Sequence, residues 1–343
     1  MPDQTEPGVS SGDEHPPRGA ERAPGAGRSR GIAAAPGALR LGELDVHRHL
    51  SDPTLKPRLV RPLFDVVAPS YDRFTRLFSF GMDRRWKALL LREAAAALPP
   101  SGGTVLDLAC GTGDLALGVA GRMSRGGTVL GVDASRRMLA LARARVHAGR
   151  APCTVLLCEG DMGALPLADG SVDLVTAGYA VRNASDPERA VREIARVLRP
   201  GGVMLGLDFF RPERALWRRC FLGYLAVAGR LVGRWWHREP MVYGYLAASI
   251  EHFRSWSEYA ALLAAHGLVV ERAHRRLLGG IVIHRVRRES AASHNSATDR
   301  FPRESAGPSM RALTRSGEKN AARESARAYS ADSADAPAPS AIT

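Results

Sequence analysis

The residues on which chemistry is easiest to place are Asp107, Gly111, Thr112, Gly113 and Asp133. They belong to an apolar run from Thr104 that ends in an acid, turns through Gly-Thr-Gly, and opens an expected helix at Asp114. Glycine at 111 and 113 lets the backbone approach a ligand closely, because no Cβ intervenes. Asp107, at the carboxyl end of the expected strand, is placed to hold a cationic amine. Asp133 ends a second apolar run, Thr128–Asp133, 20 residues beyond Gly113. An acid there can take both ribose hydroxyls of an adenosine. The pattern asks for an adenosine-containing cofactor.

The glycine loop alone leaves two cofactors open. Gly111-Thr-Gly113-Asp-Leu-Ala116 also satisfies the dinucleotide pattern G-x-G-x-x-G/A with a ribose acid about 20 residues on. Asp107 favours S-adenosylmethionine, since it suits a methionine ammonium and repels a pyrophosphate. The segment Cys158–Val175 repeats the rhythm of strand, acid, turn and strand. It offers Asp161 as acceptor for an adenine amino group and Met162 as an apolar face for the ring. Asp161 and Asp107 as plain loop-capping acids are the alternatives.

The elements that must position these residues alternate. Residues 57–100 read as helical, ended by Pro99-Pro100. Strands are expected at 104–108, 128–132, 153–158, 172–177 and 203–208, with helices near 114–123, 135–147 and 187–198. Such alternation means parallel strands with the ligand at their carboxyl ends. A helical insertion follows at about 211–250, then a helix at 255–266 and strands at 268–276 and 281–287 around Gly279-Gly280. The expected class is α/β: a Rossmann-like, mostly parallel seven-stranded sheet with a terminal antiparallel hairpin and an N-terminal helical extension. This end hairpin is the methyltransferase variant of the doubly wound fold, and it argues against an NAD-dependent oxidoreductase.

Composition separates the ends from the middle. Residues 1–56 and 289–343 of the 343 are rich in Ala, Ser, Pro, Gly and charge, and are expected to be disordered tails around a domain at 57–288. The whole chain carries +13, and the tails hold 14 basic against 15 acidic residues, which leaves about +14 on the domain. A basic core favours an anionic surface, phospholipid headgroups before nucleic acid, for which no recognition motif is present. Cys110, Cys153, Cys158 and Cys220 lack metal-ligand spacing, and Cys153 and Cys158 are expected buried and reduced in a strand. No metal site is expected. The absence of a basic start followed by an apolar stretch, and of a spanning segment, leads us to expect a cytoplasmic protein, peripheral at the inner face of the membrane.

Three signatures outside the glycine loop resemble the ubiquinone/menaquinone biosynthesis C-methyltransferases. One runs from Tyr71-Asp72 through Phe78-Ser79 and Gly81 to Asp83-Arg84 and Trp86-Lys87. A second is Arg196–Gly202 followed by Leu207-Asp208-Phe209. The third joins Tyr243–Phe253 to Gly279-Gly280-Ile281 and His284. The resemblance covers about residues 60–286. This chain departs from the usual pattern at Phe74-Thr75, where Met-Asn is common, at Asp83 (His or Gln), at Asp208-Phe-Phe210 (Glu-x-Ser) and at Gly178 (often Ser). A methyltransferase of another small aromatic or polyketide acceptor is therefore the alternative.

The resemblance implies methyl transfer from S-adenosylmethionine to a ring carbon of a polyprenylated hydroquinone, a lipid-soluble quinol, without a metal. It implies that Arg182 acts near the donor end and stabilises a developing phenolate, and that Asn183 holds the methionine part. Tyr71 closes over the cofactor or hydrogen-bonds the acceptor. Arg182 as a structural partner of a carboxylate, and Tyr71 as a core aromatic, are the alternatives. Asp83 and His284 are weaker candidates. Residues 211–238 carry seven arginines, one acid and Trp217, Trp235 and Trp236. Trp217, Cys220, Phe221, Tyr224, Leu225 and Ala228 share a stripe at helical spacing. It reads either as a core-facing helix or as an interfacial lid on anionic lipid.

Overall fold

A computed structural model describes residues 45–79, 81–123, 126–149, 151–236 and 240–290, without the side chains of 74, 78, 230–236 and 240–243. Four helices precede the sheet: α1 (Val46–Ser51), α2 (Lys56–Val67), α3 (Tyr71–Phe78) and α4 (Asp83–Ala97). Pro57 opens α2, where its missing N–H costs nothing. α4 stops at Leu98, whose extended backbone is what a residue before proline adopts. β1 (Thr104–Leu108), α5 (Asp114–Ala120), β2 (Thr128–Asp133), α6 (Arg136–Ala148) and β3 (Thr154–Glu159) follow. Next come β4 (Val172–Gly178), α7 (Pro187–Val197) and β5 (Leu198–Phe209). Ser135 and Asp186 cap α6 and α7 by accepting from backbone N–H groups of the first turn.

After β5 come α8 (Ala215–Trp236), α9 (Pro240–Glu251), α10 (Trp256–Ala265), β6 (Leu268–Arg276) and β7 (Ile281–Arg288). The seven strands lie in the order β3-β2-β1-β4-β5-β7-β6. β1 to β5 are parallel, and β7 is antiparallel to both β5 and β6. This is the sheet expected from the sequence. One apolar layer packs α2, α4, α5, α8 and α9 against one face, and α7 and α10 cover the other.

Four details differ from expectation. α1 lies within the segment read as a tail, with Leu50 buried, so the ordered chain starts before residue 57. β5 begins at Leu198 rather than 203, because the Arg199-Pro-Gly-Gly turn is drawn into the strand with a register shift against β4. The insertion is two helices, packed on each other. Cys158 is exposed and Cys153 half-buried, because β3 is the sheet's edge strand and α6 covers only part of it. Of the expected tails at 1–56 and 289–343, residues 1–44 and 291–343 lie outside the described residues.

His284, on β7, is 3% exposed among Phe210, Trp256 and Tyr259. Neither ring nitrogen has a hydrogen-bond partner among the described residues, and burial pushes its pKa down to about 3. Gly206 faces it across the pair, where an added Cβ would come within 2.2 Å of the ring. The imidazole is a neutral core residue rather than a site residue. An unfolded histidine takes up its proton near 6.5, so this group's contribution to stability is intact above that pH and is lost as pH falls from 6.5 toward 3. Denaturant unfolding of the chain and of His284→Leu should diverge by about 2 kcal/mol between pH 6.5 and pH 5, with the wild type losing more.

Candidate cofactor cleft and the cavity behind it

The chain leaves β1 through a loop held in unusual backbone conformations. Ala109, Gly111 and Gly113 all have positive φ, at 52°, 54° and 84°. At Gly113 the left-handed turn brings α5 against α6, and an added Cβ would lie 3.3 Å from Ala142 Cβ. At Gly111 an added Cβ would meet nothing within 4 Å, so open space lies directly beside the backbone. Asp133 fixes this loop: its Oδ2 accepts from Gly111 N at 2.8 Å and its Oδ1 from Ser135 N at 2.8 Å. Each oxygen keeps a second lone pair. Burial raises the Asp133 pKa against the pull of those two N–H groups.

A cavity of about 520 Å³ opens at this point, within the ordinary size range of small-ligand sites. Gly111, Asp133, Asp161, Met162, Tyr71 and Asn183 stand on its wall. Asp161 also caps its own turn, with Oδ1 accepting from Gly163 N at 2.9 Å, so the capping role and the cavity position coexist. The sequence reading missed the contribution of α2, whose Val60, Arg61 and Phe64 form the opposite wall. Its signal was the amphipathic spacing of Leu59, Leu63 and Val67, which marks the buried face and so leaves Val60 and Phe64 on the flank. Arg61 ties α2 to the sheet by donating to Ala134 O at 2.7 Å and pairing with Glu159.

Three of the expected cofactor residues, Gly113, Thr112 and Asp107, stand back from the cavity wall, Gly113 because it packs against α6. Thr112 is turned away: its Oγ1 donates to Asp72 Oδ1 at 3.0 Å and accepts from Arg145 Nη1 at 3.0 Å. Asp72 and Arg145 are themselves an ion pair, so this hydroxyl locks the loop to α3 and α6. Asp107 is 1% exposed. Its Oδ1 accepts from Thr176 Oγ1 at 2.7 Å, while Oδ2 is buried without a partner among the described residues. Burial pushes its pKa up to about 7 despite the Thr176 bond. An unsatisfied carboxylate oxygen near the end of β1, just before the open Gly111 loop, is what a cationic amino acid moiety requires, so these residues fit S-adenosylmethionine.

A second, smaller cavity of about 50 Å³ lies behind the first and shares Phe64, Tyr71 and Asn183 with it. The rest of its wall is mostly apolar or aromatic, including Leu63, Val67, Phe209 and Leu246. Asn183 is clamped at the junction, with Nδ2 donating to Tyr179 O at 2.7 Å and Oδ1 accepting from Tyr245 Oη at 2.7 Å. Burial pushes the Tyr71 hydroxyl up to about 12. Arg182 reaches the inner cavity while only 4% exposed. Its Nε donates to Asp208 Oδ1 at 3.3 Å, its Nη1 bonds Ser249, and its guanidinium lies 5.8 Å from the Phe209 ring centre. The structural pairing and the place on the cavity wall thus hold together. Gly178 adjoins Leu115, whose Cδ1 would sit 2.6 Å from an added Cβ, so a serine there requires Leu115 to repack.

A crevice at the carboxyl ends of a 3-2-1-4-5-7-6 sheet, with a ribose acid at the end of β2 and a buried carboxylate near the end of β1, defines the S-adenosylmethionine-dependent methyltransferases of class I. The chain belongs to the ubiE/COQ5 methyltransferase family, whose model matches residues 53–288. It is 35% identical over 236 residues to the ubiquinone/menaquinone biosynthesis C-methyltransferase UbiE of Geotalea uraniireducens, covering 66% of this chain and 95% of that one. The enzyme of the same name from Geobacter sulfurreducens is 38% identical over 237 residues, covering 66% and 87%. Demethylmenaquinone methyltransferase of Lactiplantibacillus plantarum is 35% identical over 208 residues, covering 61% and 86%. The chain is an S-adenosylmethionine-dependent methyltransferase.

Because the raised pKa of Asp107 belongs to the ligand-free protein, a cation binds its ionised form and must displace a proton below about 7. Calorimetric titration with S-adenosylmethionine between pH 5.5 and 7.2, below the titration of the ligand's own amine, should show affinity rising with pH by roughly tenfold per unit at the acid end. Asp107→Asn should bind at least tenfold more weakly and lose that slope.

Proposed function

We propose that this enzyme methylates a ring carbon of a polyprenylated hydroquinone, converting demethylmenaquinol to menaquinol or carrying out the equivalent step on a ubiquinone precursor. The observation that carries the reading is the junction at Phe64, Tyr71 and Asn183, where a nucleoside-sized cleft meets a smaller cavity lined by aromatic side chains. The names of the relatives support the acceptor class.

Bound S-adenosylmethionine supplies an activated sulfonium methyl. Asp133 and Asp161 orient the adenosine, Gly111 lets it approach the loop, Asp107 takes the ammonium, and Met162 faces the adenine. Asn183 and Tyr71 fix the junction, so that a ring in the inner cavity is held in line with the donor; such alignment is worth several kcal/mol of the barrier. Arg182 places positive charge beside the ring oxygen that becomes anionic. It is no base, since its pKa exceeds about 12. The inner cavity, about 50 Å³ without a ligand, has to widen to admit a ring.

The acceptor reaches the cleft from a membrane. Among the described residues no helix is long and apolar enough to cross one, and the contact we propose is peripheral. α8 buries Phe221 and Leu225 in the core, which bears out its core-facing side, yet leaves Leu216 77% and Val227 59% exposed. Trp217 Nε1 donates to Leu277 O at 2.9 Å, which joins α8 to the turn that carries Leu278, 69% exposed. Arg214, Arg219, Arg275 and Arg276 are exposed around these leucines. The side chains of Trp235 and Trp236 lie outside the described residues. Residues 57–288 with α1 are the catalytic unit.

Two measurements test this. With labelled S-adenosylmethionine, label should appear on a ring carbon of reduced demethylmenaquinone or of a ubiquinone-pathway hydroquinone. Cofactor binding with transfer to neither would move the assignment to another aromatic acceptor. Leu216→Asp combined with Leu278→Asp should cut co-sedimentation with anionic vesicles severalfold at unchanged cofactor affinity; equal co-sedimentation would remove the membrane contact from the proposal.

A further inference from the structure

Methylation at a ring carbon requires that the neighbouring ring hydroxyl lose its proton, and the residues at the inner cavity differ sharply in their ability to receive it. Arg182 holds its proton too tightly. Asp208 is buried behind it with both oxygens engaged: Oδ1 accepts from Phe209 N and Arg182 Nε, and Oδ2 from Arg182 N. Three tyrosines line the cavity. Tyr245 donates to the amide oxygen of Asn183, and Tyr71 pairs with Thr75; neither partner is a base. Tyr179 alone among them donates to a carboxylate, Asp83 Oδ1, at 2.9 Å.

The rest of the arrangement pairs that carboxylate with a cation and fixes it in place. Asp83 Oδ2 lies 3.0 Å from Lys87 Nζ, one turn along α4, and Lys87 is shared at 2.9 Å with Asp114 at the start of α5. Burial presses Lys87 toward neutrality, but the two carboxylates more than reverse it. Ser79, also on the cavity wall, accepts from Asp83 N at 3.1 Å and fixes the start of α4. Tyr179 itself has a left-handed backbone (φ 57°), which is costly for a bulky residue and recurs at functional sites. Its ring stacks on Phe209 at 5.5 Å. Burial raises its hydroxyl pKa well above 10, which opposes free ionisation and leaves it a conduit. The charged and titratable groups around the pair are Lys87, Tyr71, Asp208 and, through Lys87, Asp114. Asp83 is also a position at which this chain departs from the pattern of the methyltransferases it resembles.

Resting on the quinol reading above, we propose that Tyr179 and Asp83 form the proton relay of the reaction, with Tyr179 touching the ring hydroxyl and Asp83 acting as a positioning residue and terminal acceptor. The acceptor O–H bond breaks and its proton passes to Tyr179 Oη, while the tyrosine's own proton moves to Asp83 Oδ1. The electron pair left on the ring oxygen feeds the adjacent ring carbon, which bonds to the methyl carbon as the methyl–sulfur bond breaks and its electron pair stays on sulfur. The methylated ring carbon then releases its hydrogen to water as a proton. That C–H electron pair restores the aromatic ring and the anionic oxygen, and the relay returns the stored proton to the oxygen. One proton is released per turnover.

Tyr179→Phe removes one hydroxyl and leaves the Asp83–Lys87 ion pair in place, so it tests the relay without threatening the fold. With saturating S-adenosylmethionine, its kcat should fall about 100-fold, with cofactor Kd, acceptor KM and Tm close to wild type. Asp83→Asn should fall comparably, and the double variant should be little worse than either, because the two act as one unit. A nitronaphthol bound in the inner cavity, read by the absorbance of its anion, should ionise at a pH at least one unit lower in the wild type than in Tyr179→Phe. A Tyr179→Phe enzyme within threefold of wild-type kcat, or an unchanged nitronaphthol titration, would overturn the relay. A wild type that binds cofactor but methylates no quinol would instead defeat the proposed function, and the nitronaphthol titration would still decide the relay.

Discussion

Everything in this molecule depends on the point where the sheet reverses its strand order. β1 lies centrally, with β2 on one side and β4 on the other. The connections that leave the carboxyl ends of β1 and β4 run to opposite faces of the sheet, which opens a crevice between them. The positive-φ loop after β1 and the 3-10 turn Val181–Asn183 after β4 are the two lips of that gap. Each carries residues that cannot be moved without moving a strand. Asp107 is held by Thr176 of β4, and Asn183 by the backbone of Tyr179 at the end of β4.

The additions to the sheet convert a general crevice into a closed one. α2 and α3 fold over the cofactor side, and α8 and α9 over the acceptor side. What binds them together is buried polarity rather than apolar area alone. Lys56, 7% exposed at the start of α2, donates to Arg182 O at 3.0 Å. Burial and the nearby Arg182 charge depress its pKa to about 8. Arg182 in turn bonds Ser249 of α9. A helix from each side of the cleft is thus tied to the residue on its floor. Each such bond is costly to leave unmade in a dry site, so the lid elements and the floor assemble together or not at all.

The parts of this arrangement legible in the sequence were those written locally. A strand that ends in an acid, then Gly-Thr-Gly, then a helix start is a short-range pattern, and Asp107, Gly111, Gly113 and Asp133 fell where the spacing placed them. Alternation gave the five parallel strands to within a residue or two, except at β5, where proline and glycine suggested a turn that the strand absorbs. Long-range pairings left no such mark. Tyr179 and Asp83 are 96 residues apart, and Arg182 and Ser249 are 67 apart. No periodicity relates them; only the topology does. Thr112 shows the opposite failure: its place in the motif suggested a ligand contact, while its hydroxyl is occupied by Asp72, 40 residues away. Cys158 was misjudged because an apolar strand says nothing about whether it lies at the centre or the edge of a sheet.

The charge layout of the inner cavity also bears on why the site excludes the wrong chemistry. Arg182 is compensated by Asp208, and Lys87 by Asp83, so neither cation stands without a carboxylate partner. In a low-dielectric pocket an unbalanced charge would hold water or a counter-ion in the place of the ring. Balanced pairs avoid that, while keeping one cation and one carboxylate within reach of opposite sides of the same small space. A neutral quinol can enter such a pocket, and the charge that appears on it during transfer is met by groups already fixed in position, with no solvent to reorganise.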